Sequence, residues 1–183
     1  MKKLAAAFLI SAAVFAFAGQ STPTADAILK PAIAKAKKEN KNVMVIFHAS
    51  WCGWCKRLDS FMAKPEFKPL FDKNFVVVHL VTMENGDKKK LENAGSDVLM
   101  KDWGGATAGL PFTVFLDSKG GKIGDSMMDT DKGKANIGCP WEPNEVAAFM
   151  AVIRKTSKHL KPDEAKKLEA GLLAQKAAAG NGG

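Results

Sequence analysis

Trp51-Cys52-Gly53-Trp54-Cys55 follows the apolar run Val43-Met44-Val45-Ile46-Phe47 and leads into Lys56-Arg57-Leu58-Asp59-Ser60-Phe61-Met62, which is patterned as a helix. Two cysteines two residues apart at a strand-to-helix junction are the layout of a redox-active dithiol. A helix N-terminus carries partial positive charge and free N–H groups, which favour a thiolate over a thiol. That location activates Cys52 as the attacking sulfur. Cys55, one turn further in, is placed to attack the mixed disulfide and release the product.

Working outward, Thr24 to Asn40 puts Ile28, Leu29, Ile33 and Ala36 on one helical side, with Pro31 placed to split or kink it. Val43 to His48 reads as a buried strand, and the dithiol helix runs to about Ala63, stopped by Lys64-Pro65. Glu66 to Asp72 reads as a short helical turn. Phe75-Val76-Val77-Val78-His79-Leu80-Val81 is β-branched and almost uninterrupted, a pattern that predicts a central strand covered on both faces. Asp87 to about Met100 is a weaker helix broken at Gly95, and Trp103 to Gly109 is a flexible loop. Phe112 to Leu116 is a strand, Asp117-Ser118-Lys119-Gly120-Gly121 has hairpin-turn chemistry, and the chain returns through Lys122 to Met128. Asp129 to Gly138 reads as a polar surface loop. Asn144 is the expected cap of a helix that turns Val146, Phe149, Met150 and Ile153 inward, and Pro162 opens a last helix to about Ala178. The order predicts an α/β sandwich, a mixed central sheet flanked by helices with an extra C-terminal helix.

Lys2-Lys3, the apolar stretch Leu4 to Ala18 and the Ala16-Phe17-Ala18 pattern read as a signal peptide cleaved after Ala18. The expected division is therefore 1–18 leader, 19–160 domain and 161–183 helical extension ending in a frayed tail. The leader's apolar run is short for a spanning helix, so a periplasmic or secreted protein without a stable membrane anchor is expected. Outside the cytoplasm a disulfide persists, and three cysteines leave Cys139 over once Cys52 and Cys55 are taken together. The formal charge of +8, less Lys2 and Lys3, leaves +6 on the mature chain. Lysine runs such as Lys88-Lys89-Lys90 are read as solvated helix faces; no aromatics are interleaved with them, which argues against nucleic-acid binding.

Phe47-His48-Ala49-Ser50-Trp51-Cys52-Gly53-Trp54-Cys55-Lys56, together with Gly109-Leu110-Pro111-Phe112-Thr113-Val114-Phe115-Leu116-Asp117, resembles the thioredoxin-like superfamily over roughly Asn42 to Lys158. The resemblance implies a cis Pro111 facing the dithiol and a Leu110 that pairs main chain to main chain with an extended client. It implies protein clients with thiols or disulfides, a redox partner protein, no external cofactor and a monomer. Trp51 and Trp54 are expected to shield the dithiol and offer clients an apolar contact. Two departures stand out. Ile46 occupies the place of the buried acid that thioredoxins carry before the motif, and Gly53-Trp54 replaces their Gly-Pro, so the direction of reaction is not inherited.

Other readings stay open at this level. Cys52 and Cys55 could form a structural disulfide or half a zinc site, although no second C-x-x-C supplies the remaining ligands. Met127-Met128 with the cysteines raises a copper-handling alternative, and the loss of acid at position 46 a client-binding module with weak redox activity. His48 and His79 are in the titration range for moving a proton near Cys55, while a packed strand histidine is the ordinary role. Cys139, before the helix led by Asn144, is read first as a buried inert thiol and otherwise as a third redox thiol or intermolecular disulfide partner.

Overall fold

A computed structural model describes residues 22–180; the expected leader at 1–18 and the tail at 181–183 lie outside the described residues. The elements are α1 Ala25–Lys38, β1 Asn42–His48, α2 Gly53–Met62, α3 Lys68–Asn74, β2 Phe75–Val81, α4 Ser96–Met100, β3 Phe112–Leu116, β4 Lys122–Asp125, β5 Met127–Thr130, β6 Gly133–Asn136, α5 Pro143–Thr156 and α6 Pro162–Gly180. The main sheet has the order β2-β1-β3-β4, with β1 parallel to β2 and antiparallel to β3. It is the mixed sheet the element order implies.

β1 is the keel of the molecule. Its first six residues are buried, and the side chains alternate between two cores as the strand period requires. Met44 and Ile46 join the cluster built with α2, α3, α5 and α6, while Val43, Val45 and Phe47 join the one closed by α1. β3 repeats the pattern, with Phe115 on the first side and Phe112, Val114 and Leu116 on the second. α1 runs through Pro31 without a break, because Leu29, Ala32 and Ala36 are all held buried on the sheet. Thr24 caps it, its hydroxyl accepting from the Ala27 N–H at 3.2 Å.

Four sequence expectations need correction. β2 is an edge strand, not a central one: β1 alone pairs with it, and only Phe75 and Leu80 are buried. The apolar run survives at an edge because its side chains still pack on both faces, Val77 against the larger cluster and Val76 and Val78 against the one closed by α1. The stretch 129–138 is largely not a loop; it holds a second, two-stranded sheet, β5 with β6, paired from Met127↔Asn136 to Thr130↔Gly133. Exposed polar side chains hide a hairpin from hydrophobic patterning, and here Gly133 supplies the positive φ of 102° after the turn. The helix expected from Asn144 begins at Pro143 behind Glu142, whose N–H and that of Trp141 both reach the Glu145 carboxylate at 2.9 Å. The expected Asp87–Met100 helix is a 3-10 turn, Gly86–Leu91, and the short α4, and a π-type turn, Lys101–Gly105, begins the expected loop.

α6 is integral to the core. Ala165, Leu168 and Leu172 are buried in the larger cluster, and a Cβ at Gly171 would meet the Phe67 ring. Polar ties reinforce it: Lys73 to Glu164 from α3, Arg154 to Glu169 from α5, and Lys176 to Glu142 at 2.6 Å. Leu168→Ala should therefore cost about 2–5 kcal/mol of folding stability. A urea midpoint that does not move would mean that α6 contributes nothing to the core.

Candidate active site

The strand-to-helix turn places Cys52 as the N-cap of α2. Its Sγ accepts the Cys55 N–H at 3.1 Å, and the two sulfurs are joined in a disulfide across a Cα–Cα distance of 5.3 Å. The pair is nearly enclosed, Cys52 3% and Cys55 2% exposed, and clusters with Ala49 while Leu110 packs against it. Leu110 therefore reaches the dithiol, on a loop whose Leu110–Pro111 peptide is cis. Pro111 Cδ stands 3.8 Å from the place a Cβ would take at Gly138.

The two tryptophans stand on the rim, Trp51 51% and Trp54 48% exposed. Trp51 donates its indole N–H to the Met83 carbonyl at 2.8 Å, and Met83 is itself exposed with a left-handed φ of 58°. Beneath that rim the buried Glu84 carboxylate accepts the Ser50 hydroxyl at 2.9 Å as well as the Ser50 N–H, fixing the residue that precedes the motif. Trp54 meets Trp141 edge to face at 5.8 Å, and the Arg57 guanidinium lies over Trp141 at 3.8 Å. An open cleft of about 450 Å³ runs from Trp54 and Trp141 past Leu110 to Asn136, with Cys139 in its wall.

Ile46 is fully buried and pairs with His79 across the β1–β2 ladder, so no carboxylate lies at that position. One acidic group near this position is on α2 itself. Asp59 follows Cys55 by one turn on the same helix side and contacts His79 Nε2 at 2.8 Å, with the His48 ring 5.0 Å from that of His79. Burial lowers the His48 pKa, His79 adds to the lowering, and Asp59 and Glu84 oppose it. Met127 and Met128 pack toward different cores, Met127 with the α1 side and Met128 with the α5 side, and neither packs in the cluster of Cys52 and Cys55. Among the described residues there is no cluster of three or more His, Cys, Asp or Glu that could hold a metal ion.

Several parts of this site escape sequence reading. Glu84, Asn136 and Trp141 lie 32 to 89 residues from Cys52 and reach the site only through the fold, while Arg57, on the dithiol helix itself, finds its place over Trp141 only there. Asp59 alone carried a signal, its four-residue spacing from Cys55.

A family model described as thioredoxin-like matches residues 24–118, more than half of the sequence. The chain belongs to the thioredoxin-like family. The family match starts earlier than the resemblance read from the motifs and stops before β4, so the β5–β6 hairpin, α5 and α6 lie beyond it. Similar solved structures include a disulphide isomerase from Xylella fastidiosa Temecula1, 24% identical over 53% of this chain and 69% of that one, TM-score 0.44. The oxidised DsbD C-terminal domain from Neisseria meningitidis is 24% identical over 57% and 84%, TM-score 0.40. A DsbH oxidoreductase is 18% identical over 83% and 94%, TM-score 0.42. Nothing about this chain's substrates follows from these likenesses. Comparison with curated proteins gives no match.

Two outcomes test the local environment. Cys139 is 4% exposed, and burial pushes its pKa up to about 11, against a smaller lowering by Arg57. At pH 8 its thiolate is roughly a thousandth of the total, so a chromogenic disulfide should label the native oxidised protein at least about 10²-fold more slowly than the urea-unfolded one. Labelling within a few-fold would refute the buried thiol. His48 binds its proton less readily folded than unfolded, so stability should fall as pH drops through its unfolded value near about 6.5. In His48→Gln the loss of urea midpoint between pH 7 and pH 5 should be shallower; an unaltered slope would assign the pH dependence to other groups.

Proposed function

We propose that this protein is an exported thiol–disulfide oxidoreductase acting on protein clients. The observation that carries the proposal is the Cys52–Cys55 pair at the N-terminus of α2, with Leu110 of a neighbouring loop against it. The α2 dipole and the cap position favour a thiolate at Cys52 in the reduced form.

Cys52 Sγ⁻ attacks one sulfur of a client disulfide, forming a mixed disulfide and expelling the other client sulfur as thiolate. Cys55, deprotonated, then attacks Cys52 Sγ, closes the Cys52–Cys55 bond and releases the second client thiolate. Two electrons pass from the dithiol to the client, and a dithiol partner protein restores the reduced pair. In the opposite direction a client dithiol reduces the Cys52–Cys55 bond by the same steps. Neither direction uses an external cofactor.

Because Cys52 is 3% exposed, a client has to dock before its sulfur is aligned. Trp51, Trp54 and Met83 offer the apolar contact, and Leu110 the main-chain pairing beside Pro111. Trp51 and Trp54 thus act in client binding with Leu110 and Pro111, and the enzyme works as a monomer. No helix among the described residues is long and apolar enough to cross a membrane, and export rests on the leader at 1–18, cleaved after Ala18. One observation favours the alternative of a client-binding module with weak redox activity: Ile46, fully buried where an acid would take up the Cys55 proton.

The reduction potential of the pair, measured against glutathione in a Cys139→Ser background, separates these readings and gives the direction. A value near about −270 mV makes it a reductant and one near about −120 mV an oxidant. Absence of a reversible Cys52–Cys55 disulfide would end the enzyme reading. Cys55→Ser should accumulate mixed disulfides with clients through Cys52 on non-reducing gels, and Cys52→Ser should accumulate none. Equal trapping by the two variants would reverse or remove the assigned roles.

A further inference from the structure

Asn136 closes β6, outside the region matched by the family model, and it lies 27 residues along the chain from the loop it holds. Its side-chain amide donates to the Gly109 carbonyl at 2.6 Å and to the Pro111 carbonyl at 2.9 Å. Its Oδ1 accepts the Ser126 hydroxyl at 2.7 Å and the Gly138 N–H at 3.3 Å. The orientation is fixed by chemistry: two carbonyls can only accept and a backbone N–H can only donate, so the reversed amide would face like with like. Ser126 is fully buried and is itself held, its Oγ accepting the Thr113 N–H at 2.9 Å. The main chains of Ser126 and Thr113 pair at 2.8 Å, and Ile137 N–H reaches Ser126 carbonyl at 2.7 Å.

Asn136 therefore grips the carbonyls on either side of Leu110, the residue that packs against the dithiol, and it also lines the cleft leading to Trp54. Both amide hydrogens are already used, so Asn136 has none to give a client. We propose that Asn136 is a positioning residue for client docking: it occupies the Gly109 and Pro111 carbonyls and sets Leu110 in the one attitude in which an extended client segment pairs beside Cys52. The β5–β6 hairpin is thus a brace for the docking loop, built from a part of the chain that the family match does not reach. The inference rests on the reading of the protein as a disulfide exchanger with protein clients.

The full-length mature protein, pre-reduced, is mixed with a ten-residue peptide carrying a glutathione mixed disulfide, and single-turnover rates are followed against peptide concentration. Asn136→Asp keeps the size and the acceptor oxygen but replaces the two donations with carboxylate–carbonyl repulsion. It should raise the half-saturating peptide concentration about tenfold and leave the reduction potential at the wild-type value. Ser126→Ala, which removes the hydroxyl that Asn136 Oδ1 accepts and so loosens the amide, should move half-saturation in the same direction by less, and adding it to Asn136→Asp should change little further. Ser126→Ala keeps the test alive if Asn136→Asp fails to fold. Wild-type half-saturation in both variants overturns the inference and leaves the exchanger reading intact. A shift of half-saturation and potential together means general distortion and also overturns it. If the wild-type protein forms no reversible disulfide with glutathione, the exchanger reading falls and takes this inference with it.

Discussion

Everything at the dithiol depends on β1 being bonded along both edges and buried on both faces. A strand held in this way has no freedom to slide or tilt, because one residue of slippage would exchange its two core-facing sets. The turn that follows inherits that rigidity, and Cys52 is delivered as a helix cap at a fixed point in the fold. Rigidity here is chemically useful. A dipole stabilises a thiolate only if the sulfur stays within the first turn.

Around that fixed point the site is assembled from parts with different tasks. Glu84 and Met83 secure the approach to the motif on one side, through Ser50 and Trp51. On the other, Trp141, with Arg57 over its ring, gives Trp54 an edge-to-face support, so an exposed aromatic is held in place rather than left to sample rotamers. An ordered apolar contact loses less conformational entropy when a partner binds than a mobile one does.

The sequence was readable wherever a local rule had no competitor. Cys52 and Cys55 declare themselves by spacing and by the apolar run before them, and the β1 and β3 strands by continuous apolar character. Reading failed where tertiary context outweighed pattern. β2 has the residues of a central strand but lies at an edge, its valines packing into both cores although only one ladder pairs with it. The β5–β6 hairpin has no apolar alternation to betray it, and its role comes from a single side chain reaching across to a distant loop. Long-range polar ties such as Asn136 and Glu84 leave no periodic trace, since most of their bonds go to backbone atoms and serine hydroxyls that recur throughout the chain.

The lysines along β2 carry one more implication. An edge strand exposes hydrogen-bonding groups to any other extended chain, and a run of valines makes pairing there favourable. Lys35, Lys41 and Lys68 line that edge, with Asp72 paired to Lys68 and Glu39 to Lys41, so a second copy approaching it meets solvated charge with a small positive excess before contact. Part of the surplus positive charge is then insulation against self-association, and its reach is the Debye length. High ionic strength would shorten that reach and weaken the guard on β2 without touching a single bond of the fold.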